Sequence, residues 1–256
     1  MKTEILYGIH PVREALAAQR RRVYAIYLAK EKNAARFAPI RSLAESRAIE
    51  QRIIDAGDFR KLVGTVRHQG VAARVSPYSP AAFSDLLRTA RNRDGDFFLL
   101  MLDNIVDPQN LGAVIRTALC AGVDGVVVPK DHSAPPTPAV SKASAGALEH
   151  IRLSIVTNLV PTIRECKNNG IWIVGLQKDA PQSIYAGDLT GPIAILLGGE
   201  QKGLRPLVKK NCDFLLSIPQ QGPVDSLNAA AAAAVAMYEA VRQRRGQGGA
   251  GCGAHR

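Results

Sequence analysis

From residue 97 onward the chain alternates apolar runs of strand length with segments of helical periodicity. The apolar runs read "FFLLMLDNI", "GVDGVVVPK", "IRLSIV", "IWIVGLQ", "PIAILLGG" and "DFLLSIP". Strands that are apolar along their whole length are buried on both faces, which is typical of parallel sheets covered by helices on two sides. The pattern therefore predicts an α/β domain with a mostly parallel sheet.

A smaller αβ unit precedes this domain. "IHPVREAL" has a helical stripe, "VYAIYLAK" alternates like a strand, a second helical stretch follows at 37–48, and "HQGVAARV" is a short closing strand. A Pro- and Ser-containing stretch that ends in charged residues follows at 77–95 and is typical of a linker, although 83–90 has helical character. We therefore expect domains at 1–76 and 96–246, a linker at 77–95, and a Gly-rich disordered tail at 247–256.

The positive charge is concentrated in the first of these domains. Residues 1–76 contain 15 Lys or Arg and seven Asp or Glu, whereas the rest of the chain contains 18 and 15, for a total net charge of +11. Such an excess favours a polyanionic partner, nucleic acid before a membrane. A charged face that only meets solvent is the alternative.

Several classes of protein are disfavoured. The four cysteines are far apart and have no His at metal-ligand spacing, so we expect neither a metal site nor a disulfide framework. No apolar run reaches the length of a membrane span and the N-terminus is not typical of a signal peptide, so we expect a cytoplasmic protein. A literal G-x-G-x-x-G at 246–251 follows a helix rather than a strand, which argues against a nicotinamide oxidoreductase.

Three segments share one layout, a strand that ends in a loop of small or polar residues before a helix. They read "DNIVDPQNLGAVIRTA", "IAILLGGEQKGL" and "LSIPQQGPVDSLNAAAAAAVA". Such loops lie at the carboxyl ends of parallel strands, where α/β sheets bind ligands, and Gly198 and Gly199 would let a ligand approach the backbone. We expect Asp107 to cap the first helix and Asp225 or Ser226 to cap the last.

Two further features of these segments have alternative interpretations. The six alanines at 229–234 favour close helix packing, either in the core or at a dimer interface. Arg116 lies among the apolar residues Val114, Ile115 and Ala118, so we expect a largely buried helix and an anionic partner for this arginine, such as a phosphate. An ordinary surface arginine is the alternative.

In this order the three segments resemble the SpoU-type methyltransferases of the SPOUT superfamily. The shared pattern is N-x-G-x-x-x-R, then G-x-E-x-x-G, then I-P followed by S-L-N; its residues here are Asn110, Gly112, Arg116, Gly198, Glu200, Gly203, Ile218, Pro219, Ser226, Leu227 and Asn228. "YGIHPVREAL" and "HQGVAARV" are similar to the substrate-binding domain of these enzymes. One departure is Lys202, since many relatives read E-x-E or E-G-x-G after the motif glycines whereas this chain reads E-Q-K-G at 200–203.

The resemblance implies a ribosomal-protein-like RNA-binding domain, followed by an α/β domain with a deep trefoil knot. It also implies a homodimer that binds S-adenosylmethionine. The cofactor would contact Gly198, Ile218 and Leu227. The residues that would line the transfer site are Asn110, Arg116, Glu200, Ser226 and Asn228.

The roles of the polar residues follow from the implied chemistry. Methyl transfer from a sulfonium depends mainly on positioning and charge stabilisation. Arg116 is expected to hold a phosphate beside the target ribose and Asn110 to orient the hydroxyl or Arg116. Since a guanidinium keeps its proton at neutral pH, Glu200 is the alternative proton acceptor, or the group that orients Arg116. His10, Arg20, Arg21 and Arg22 are expected to contact RNA in the first domain.

The resemblance is strongest to the branch that methylates the 2′-hydroxyl of a guanosine in 23S ribosomal RNA. A tRNA substrate is the alternative, although the first domain argues against it. An RNA-binding assembly factor without catalysis is a further alternative, against which the complete set of polar motif residues argues.

Overall fold

The computed structural model describes residues 2–30, 34–64, 66, 68–91, 97–199, 203–223 and 226–248. The chain forms two compact units. The first comprises Met1–Ser79 together with Pro135–His150, and the second comprises Pro80–Ala134 and Ile151–Arg256. The predicted tail and Glu200 therefore lie outside the described residues, except that the last helix extends to Gly248.

The first unit is built on a four-stranded mixed sheet in the order β1-β4-β2-β3. β4 pairs antiparallel with β1 and β2, whereas β2 and β3 are parallel. Its elements before residue 80 are β1 (Glu4–Tyr7), α1 (Ile9–Ala18), β2 (Val23–Ala29), a 3-10 turn (Ala34–Phe37), α2 (Ala38–Glu45), β3 (Glu50–Ile54), α3 (Ala56–Val63) and β4 (Val71–Val75).

Helices cover both faces of this small sheet. Val12 and Leu16 of α1 and Ile40 of α2 are buried with one set of strand residues. Phe59 of α3 is buried with Tyr27 on the opposite face. The predicted α1, β2, α2 and β4 are confirmed, whereas β1, β3 and α3 were not predicted. β3 has mostly exposed side chains, so it lacks the apolar signal that marks a buried strand.

The segment Pro135–His150 also belongs to the first unit, although it lies far along the chain. It contains α6 (Pro138–Ala143), which packs next to β1, and a 3-10 turn (Ala147–Glu149), which packs next to α1. The sequence predicts one helix over "TPAVSKASAGALEH". The structure ends α6 early, and Ala145 and Gly146 then take positive φ angles of 52° and 87°.

The second unit contains a seven-stranded sheet in the order β7-β6-β5-β10-β8-β11-β9. All of its neighbouring strands are parallel, as the apolar runs predict. Its elements are α4 (Phe83–Arg91), β5 (Phe98–Asp103), α5 (Pro108–Cys120), β6 (Gly125–Pro129), β7 (Leu153–Val156), α7 (Leu159–Asn168), β8 (Trp172–Leu176), β9 (Gln182–Ser183), a 3-10 turn (Ile184–Ala186), β10 (Ile193–Gly198), α8 (Pro206–Lys210), β11 (Phe214–Ser217) and α9 (Ala229–Gly248).

Part of the predicted linker is a packed helix of this second unit. Leu86 and Leu87 of α4 are buried in the same core as Leu99, Met101 and Leu196 of the sheet. The polar residues of this stretch mark only the outer face of an amphipathic helix. The short β9 and α8 were also not predicted.

Helices α5 and α9 pack against each other. α5 starts at Pro108 and is capped by Asp107, whose carboxylate accepts a hydrogen bond from the Gln109 N–H, as predicted. On α9, Ala229 and Ala233 are buried, which confirms the core interpretation for these two alanines. The predicted trefoil knot and dimer stay predictions.

Candidate active site

A cleft opens at the carboxyl ends of three neighbouring parallel strands, β10, β8 and β11. Its walls are formed by the residues that follow these strands and by the start of α9. It is lined by five residues that the sequence singled out for the site, Gly198, Gly199, Ile218, Ser226 and Leu227. The fold thus brings the second and third sequence segments together around one space.

The cleft also has lining residues that sequence reasoning missed. Gln177 and Lys178 follow β8, and Leu176 and Leu197 add apolar surface. The end of β8 was visible in the sequence, but no motif marked its polar residues. A cleft with apolar walls and a few polar groups suits a small, partly apolar ligand.

The glycines of the cleft are required by close contacts within the protein itself. A Cβ at Gly199 would lie 2.2 Å from the Asn104 carbonyl oxygen, and one at Gly198 would lie 2.1 Å from the Gly203 carbonyl carbon. The Gly203 N–H donates a 2.8 Å hydrogen bond to the Gly199 carbonyl oxygen. Two glycines predicted for approach by a ligand therefore also allow the backbone to approach itself.

Asn110 and Asn228 lie in direct contact. The Asn228 Nδ2 donates a hydrogen bond of 3.0 Å to the Asn110 Oδ1. The Asn228 Oδ1 accepts hydrogen bonds from the backbone N–H groups of Ala230 and Ala231, at 2.9 and 3.4 Å. Asn228 therefore caps α9. This corrects the predicted cap at Ser226, and Asp225 lies outside the described residues.

Arg116 is not joined to these asparagines. Its side chain is exposed on α5, which corrects the expectation of a buried arginine. Within the described part of the chain it has no hydrogen bond or ion pair. The apolar residues around it in the sequence face the core, whereas Arg116 itself points outward and is open to an external anion.

Sequence reasoning also assigned no role to a buried carboxylate that lies behind the cleft. Asp103 ends β5, is fully buried, and lies beside Gly198 in the register of the sheet. Its Oδ2 accepts a 3.0 Å hydrogen bond from the Arg205 backbone N–H, and its Oδ1 lies 2.8 Å from the Arg205 Nε. Arg205 is far from Asp103 in the sequence, so no local sequence pattern predicted that the two residues would pair.

The thiols offer little chemistry. Burial raises the pKa of Cys166 to about 12 and the pKa of Cys212 to about 11, so both stay protonated at neutral pH. Cys120 is exposed. Among the residues that the structure describes, no group of His, Cys, Asp and Glu has the arrangement of a metal site, and no helix is long and apolar enough to cross a membrane.

Three of the four basic residues predicted to bind RNA are exposed in the first unit. His10 lies in the first turn of α1, and Arg20 and Arg22 follow that helix. The Arg20 Nη1 donates to the His150 carbonyl oxygen at 3.2 Å, and the Arg22 guanidinium lies 5.3 Å from the Tyr24 ring centroid. Both arginines keep exposed surface for a phosphate.

Arg21 is buried, so the predicted contact between its side chain and RNA is wrong. Only 1% of its side chain is exposed, and it lies 2.7 Å from Glu4 and 3.0 Å from Glu149. Ser141 donates a 2.8 Å hydrogen bond to Glu149. Burial raises the pKa of Glu149, against the lowering effects of Arg21 and Ser141. This guanidinium is occupied by protein carboxylates.

Comparison with known proteins identifies the family. The SpoU rRNA Methylase family model matches residues 98–238, more than half of the chain. The chain belongs to the SpoU rRNA methylase family. A second model, described as RNA 2'-O ribose methyltransferase substrate binding, matches residues 5–81. The segment Pro135–His150 lies within the SpoU methylase match, yet it packs in the first unit.

Relatives within this family are similar along nearly their whole length. The 23S rRNA (guanosine-2'-O-)-methyltransferase RlmB of Shewanella oneidensis is 40% identical over 95% of this chain and 99% of its own. The putative TrmH family tRNA/rRNA methyltransferase YacO of Bacillus subtilis is 38% identical over 94% and 96%. The solved SpoU methyltransferase AviRb from Streptomyces viridochromogenes, in complex with the cofactor AdoMet, superposes with a TM-score of 0.78 at 26% identity and covers 95% and 91%.

Proposed function

We propose that this protein transfers a methyl group from S-adenosylmethionine to the 2′-hydroxyl of a guanosine in 23S ribosomal RNA. The observation that carries the proposal is the hydrogen bond between Asn110 and Asn228 at the start of a helix that also lines the cleft. It joins two separate motifs of the family at one point. The 40% identity to RlmB along 95% of the chain supports the guanosine substrate.

The cleft fits the proposed cofactor. Leu197, Ile218 and Leu227 offer apolar surface for a base, and Gly198 and Gly199 also line the cleft. A Cβ on either glycine would collide with backbone, so the wall of the cleft depends on this glycine pair. When bound, S-adenosylmethionine supplies a methyl group on a positively charged sulfur, which is a good leaving group.

The side chains of this protein have to position the ribose hydroxyl and stabilise charge as the hydroxyl loses its proton. The hydrogen bond between Asn228 and Asn110 fixes two side-chain amides at the N-terminus of α9, where they can orient the hydroxyl. Arg116, exposed on α5, would hold the phosphate next to the target ribose. Ser226 lines the cleft and would contact substrate or cofactor there. Glu200 would accept the proton or orient Arg116.

The first unit would bind the RNA outside the reaction site. Exposed Arg20, Arg22 and His10 form the proposed contacts. Arginine contacts to phosphate fix position and register but carry little base specificity. Arg21 is left out of this surface because it is buried against Glu4 and Glu149.

A homodimer acting in the cytoplasm completes the proposal. Leu119 on α5 and Tyr238 on α9 are 38% and 50% exposed, and these two helices pack together. We propose this helix pair as the surface for a second copy. Light scattering after size exclusion would give twice the chain mass of 27.4 kDa for the dimer.

The decisive experiment uses radiolabelled S-adenosylmethionine and RNA from cells that lack this protein. We expect label in 23S RNA, recovered after digestion as 2′-O-methylguanosine. Label only in tRNA would show that the substrate is tRNA, which is the alternative substrate class and one of the two that YacO is described as methylating. Cofactor binding without label in naked RNA or in ribosomal precursor particles would favour an assembly factor without catalysis.

A further inference from the structure

We propose that Asp103 is a positioning residue for cofactor binding, which it controls by holding Arg205 and the backbone behind the cleft. This inference rests on the proposed function, since it names a further residue of the same site. Asp103 is fully buried, does not line the cleft, and is the first residue of the first segment but lies outside its N-x-G-x-x-x-R pattern. Its effect on the cofactor therefore has to pass through other residues.

The first step of the argument is the place of Asp103 in the sheet. It is the last residue of β5 and pairs in register with Gly198, the last residue of β10. The next residue, Asn104, takes a positive φ of 62°, and its carbonyl oxygen occupies the space that a Cβ on Gly199 would need. The end of β5 is thus the back wall against which the cleft glycines lie.

The second step is the pair of contacts that Asp103 makes with Arg205. One carboxylate oxygen accepts from the Arg205 backbone N–H at 3.0 Å, and the other lies 2.8 Å from the Arg205 Nε. One side chain therefore fixes both the backbone and the guanidinium of the same residue. The contact between Oδ1 and Nε is an ion pair between two buried atoms, although 38% of the Arg205 side chain is exposed, and opposite charges attract more strongly where water is excluded.

The third step connects Arg205 to the cleft. Two residues before Arg205, Gly203 donates its N–H to the Gly199 carbonyl oxygen at 2.8 Å. The Gly203 carbonyl carbon also lies where a Cβ on Gly198 would be, at 2.1 Å. Asp103 thus fixes the chain that abuts both glycines, and a shift at residue 205 would move the backbone wall of the cleft.

The same structure provides a matched control. Asp213 also accepts from a backbone N–H, that of Ile173 at 2.8 Å, and pairs with Lys167 at 2.7 Å. Ile173 lies near the amino end of β8, whereas Asp103 ends β5 at the carboxyl edge of the sheet. Asp213 does not line the cleft. The two carboxylates make similar contacts, but only Asp103 lies behind the proposed cofactor site.

The test compares Asp103→Asn with Asp213→Asn in the full chain. We expect Asp103→Asn to weaken S-adenosylmethionine binding, measured by calorimetry, by at least about tenfold. KM for the cofactor should rise in parallel, with kcat at saturating cofactor within about threefold of wild type. In the cofactor-free protein, hydrogen exchange at the Gly203 amide should accelerate. Asp213→Asn should leave cofactor affinity unchanged.

Arg205→Gln and the double variant Asp103→Asn/Arg205→Gln complete a double-mutant cycle. If the two residues act as one unit, all three variants lose the same affinity. Wild-type affinity in Asp103→Asn, or equal losses in Asp103→Asn and Asp213→Asn, would overturn the inference while the proposed function stands. A wild-type protein that binds no cofactor would overturn both. If Asp103→Asn does not fold, Arg205→Gln alone decides by the same criteria, because it leaves the Asp103 carboxylate in place.

Discussion

Asn228 donates a hydrogen bond from its side-chain amide to the side-chain oxygen of Asn110, 118 positions earlier in the chain. The oxygen of the same Asn228 side chain caps α9 through the Ala230 and Ala231 N–H groups. One amide thus uses its acceptor for folding and its donor to fix a second motif residue. These two uses can be separated by substitution.

Asn228→Asp keeps the acceptor and removes the donor. We expect the melting temperature to stay near wild type, because a carboxylate is also a good N-cap. The rate of methyl transfer should fall by about tenfold or more, since the Asn110 oxygen then faces a second acceptor. Asn228→Ala should lower the rate of methyl transfer in the same way and should also reduce the free energy of unfolding by about 1 kcal/mol. Single-turnover transfer and thermal unfolding measure the two effects; a wild-type rate in Asn228→Asp would remove the pair from catalysis.

Arg116→Ala tests the proposed phosphate contact. The side chain is exposed, so unfolding should be unaffected. Loss of a charged group that acts near the reacting atoms should lower kcat by about 100-fold, with the cofactor Kd unchanged. Arg164→Ala, which removes an exposed arginine from α7, is the control and should retain full activity. A loss of cofactor affinity in folded Arg116→Ala would contradict the assigned role.

The sequence predicts the second unit better than the first for a physical reason. Strands that are buried on both faces carry long apolar runs, and every strand of the large sheet except the two-residue β9 could be read from them. β3 of the small sheet has mostly exposed side chains and gives no such run. Elements that bury little apolar surface leave only a weak trace in the sequence.

The side-chain environment was harder to predict than the elements. Arg20, Arg21 and Arg22 are equivalent in the sequence, yet only Arg21 is buried, because Glu4 and Glu149 meet it in the folded unit. Asp103 and Arg205 are likewise paired over 102 positions. Motif positions could be taken from family resemblance. The partners of buried charges depend on tertiary contacts that no local spacing encodes.

Gly199→Ala tests the close approach of two backbone segments. The new methyl group would lie 2.2 Å from the Asn104 oxygen, so the backbone has to move. We expect a loss of about 1–3 kcal/mol of stability and weaker cofactor binding in the folded fraction. Gly246→Ala is the control, since a Cβ there meets nothing within 4 Å and the site lies in α9. Calorimetric melting and cofactor titration measure both effects, and unchanged cofactor affinity in Gly199→Ala would contradict the role of this wall.

Glu149 gives the first unit a specific pH dependence. Burial raises its pKa, so the folded protein keeps this proton to higher pH than the unfolded chain does. The unfolding free energy should therefore decrease as pH rises from the ordinary Glu pKa of about 4.3 through the raised value. Glu149→Gln removes this contribution. Denaturant unfolding of both proteins across this range should show the wild type losing stability relative to the variant, and a constant difference would contradict the assignment.

The exposed and buried arginines of the first unit should affect RNA binding differently. Arg20→Ala/Arg22→Ala should weaken binding to 23S RNA. It should also lower the magnitude of the slope of log affinity against log salt by about 1.5, because a protein that makes fewer phosphate contacts releases fewer counterions when it binds. Lys61→Ala is the control, because Asp58 already pairs with this lysine at 2.9 Å. Arg21→Ala should instead destabilise the fold by about 3–5 kcal/mol through the unpaired carboxylates. Filter binding at several salt concentrations and denaturant unfolding separate the two classes; an unchanged salt slope in the double variant would move the RNA surface elsewhere.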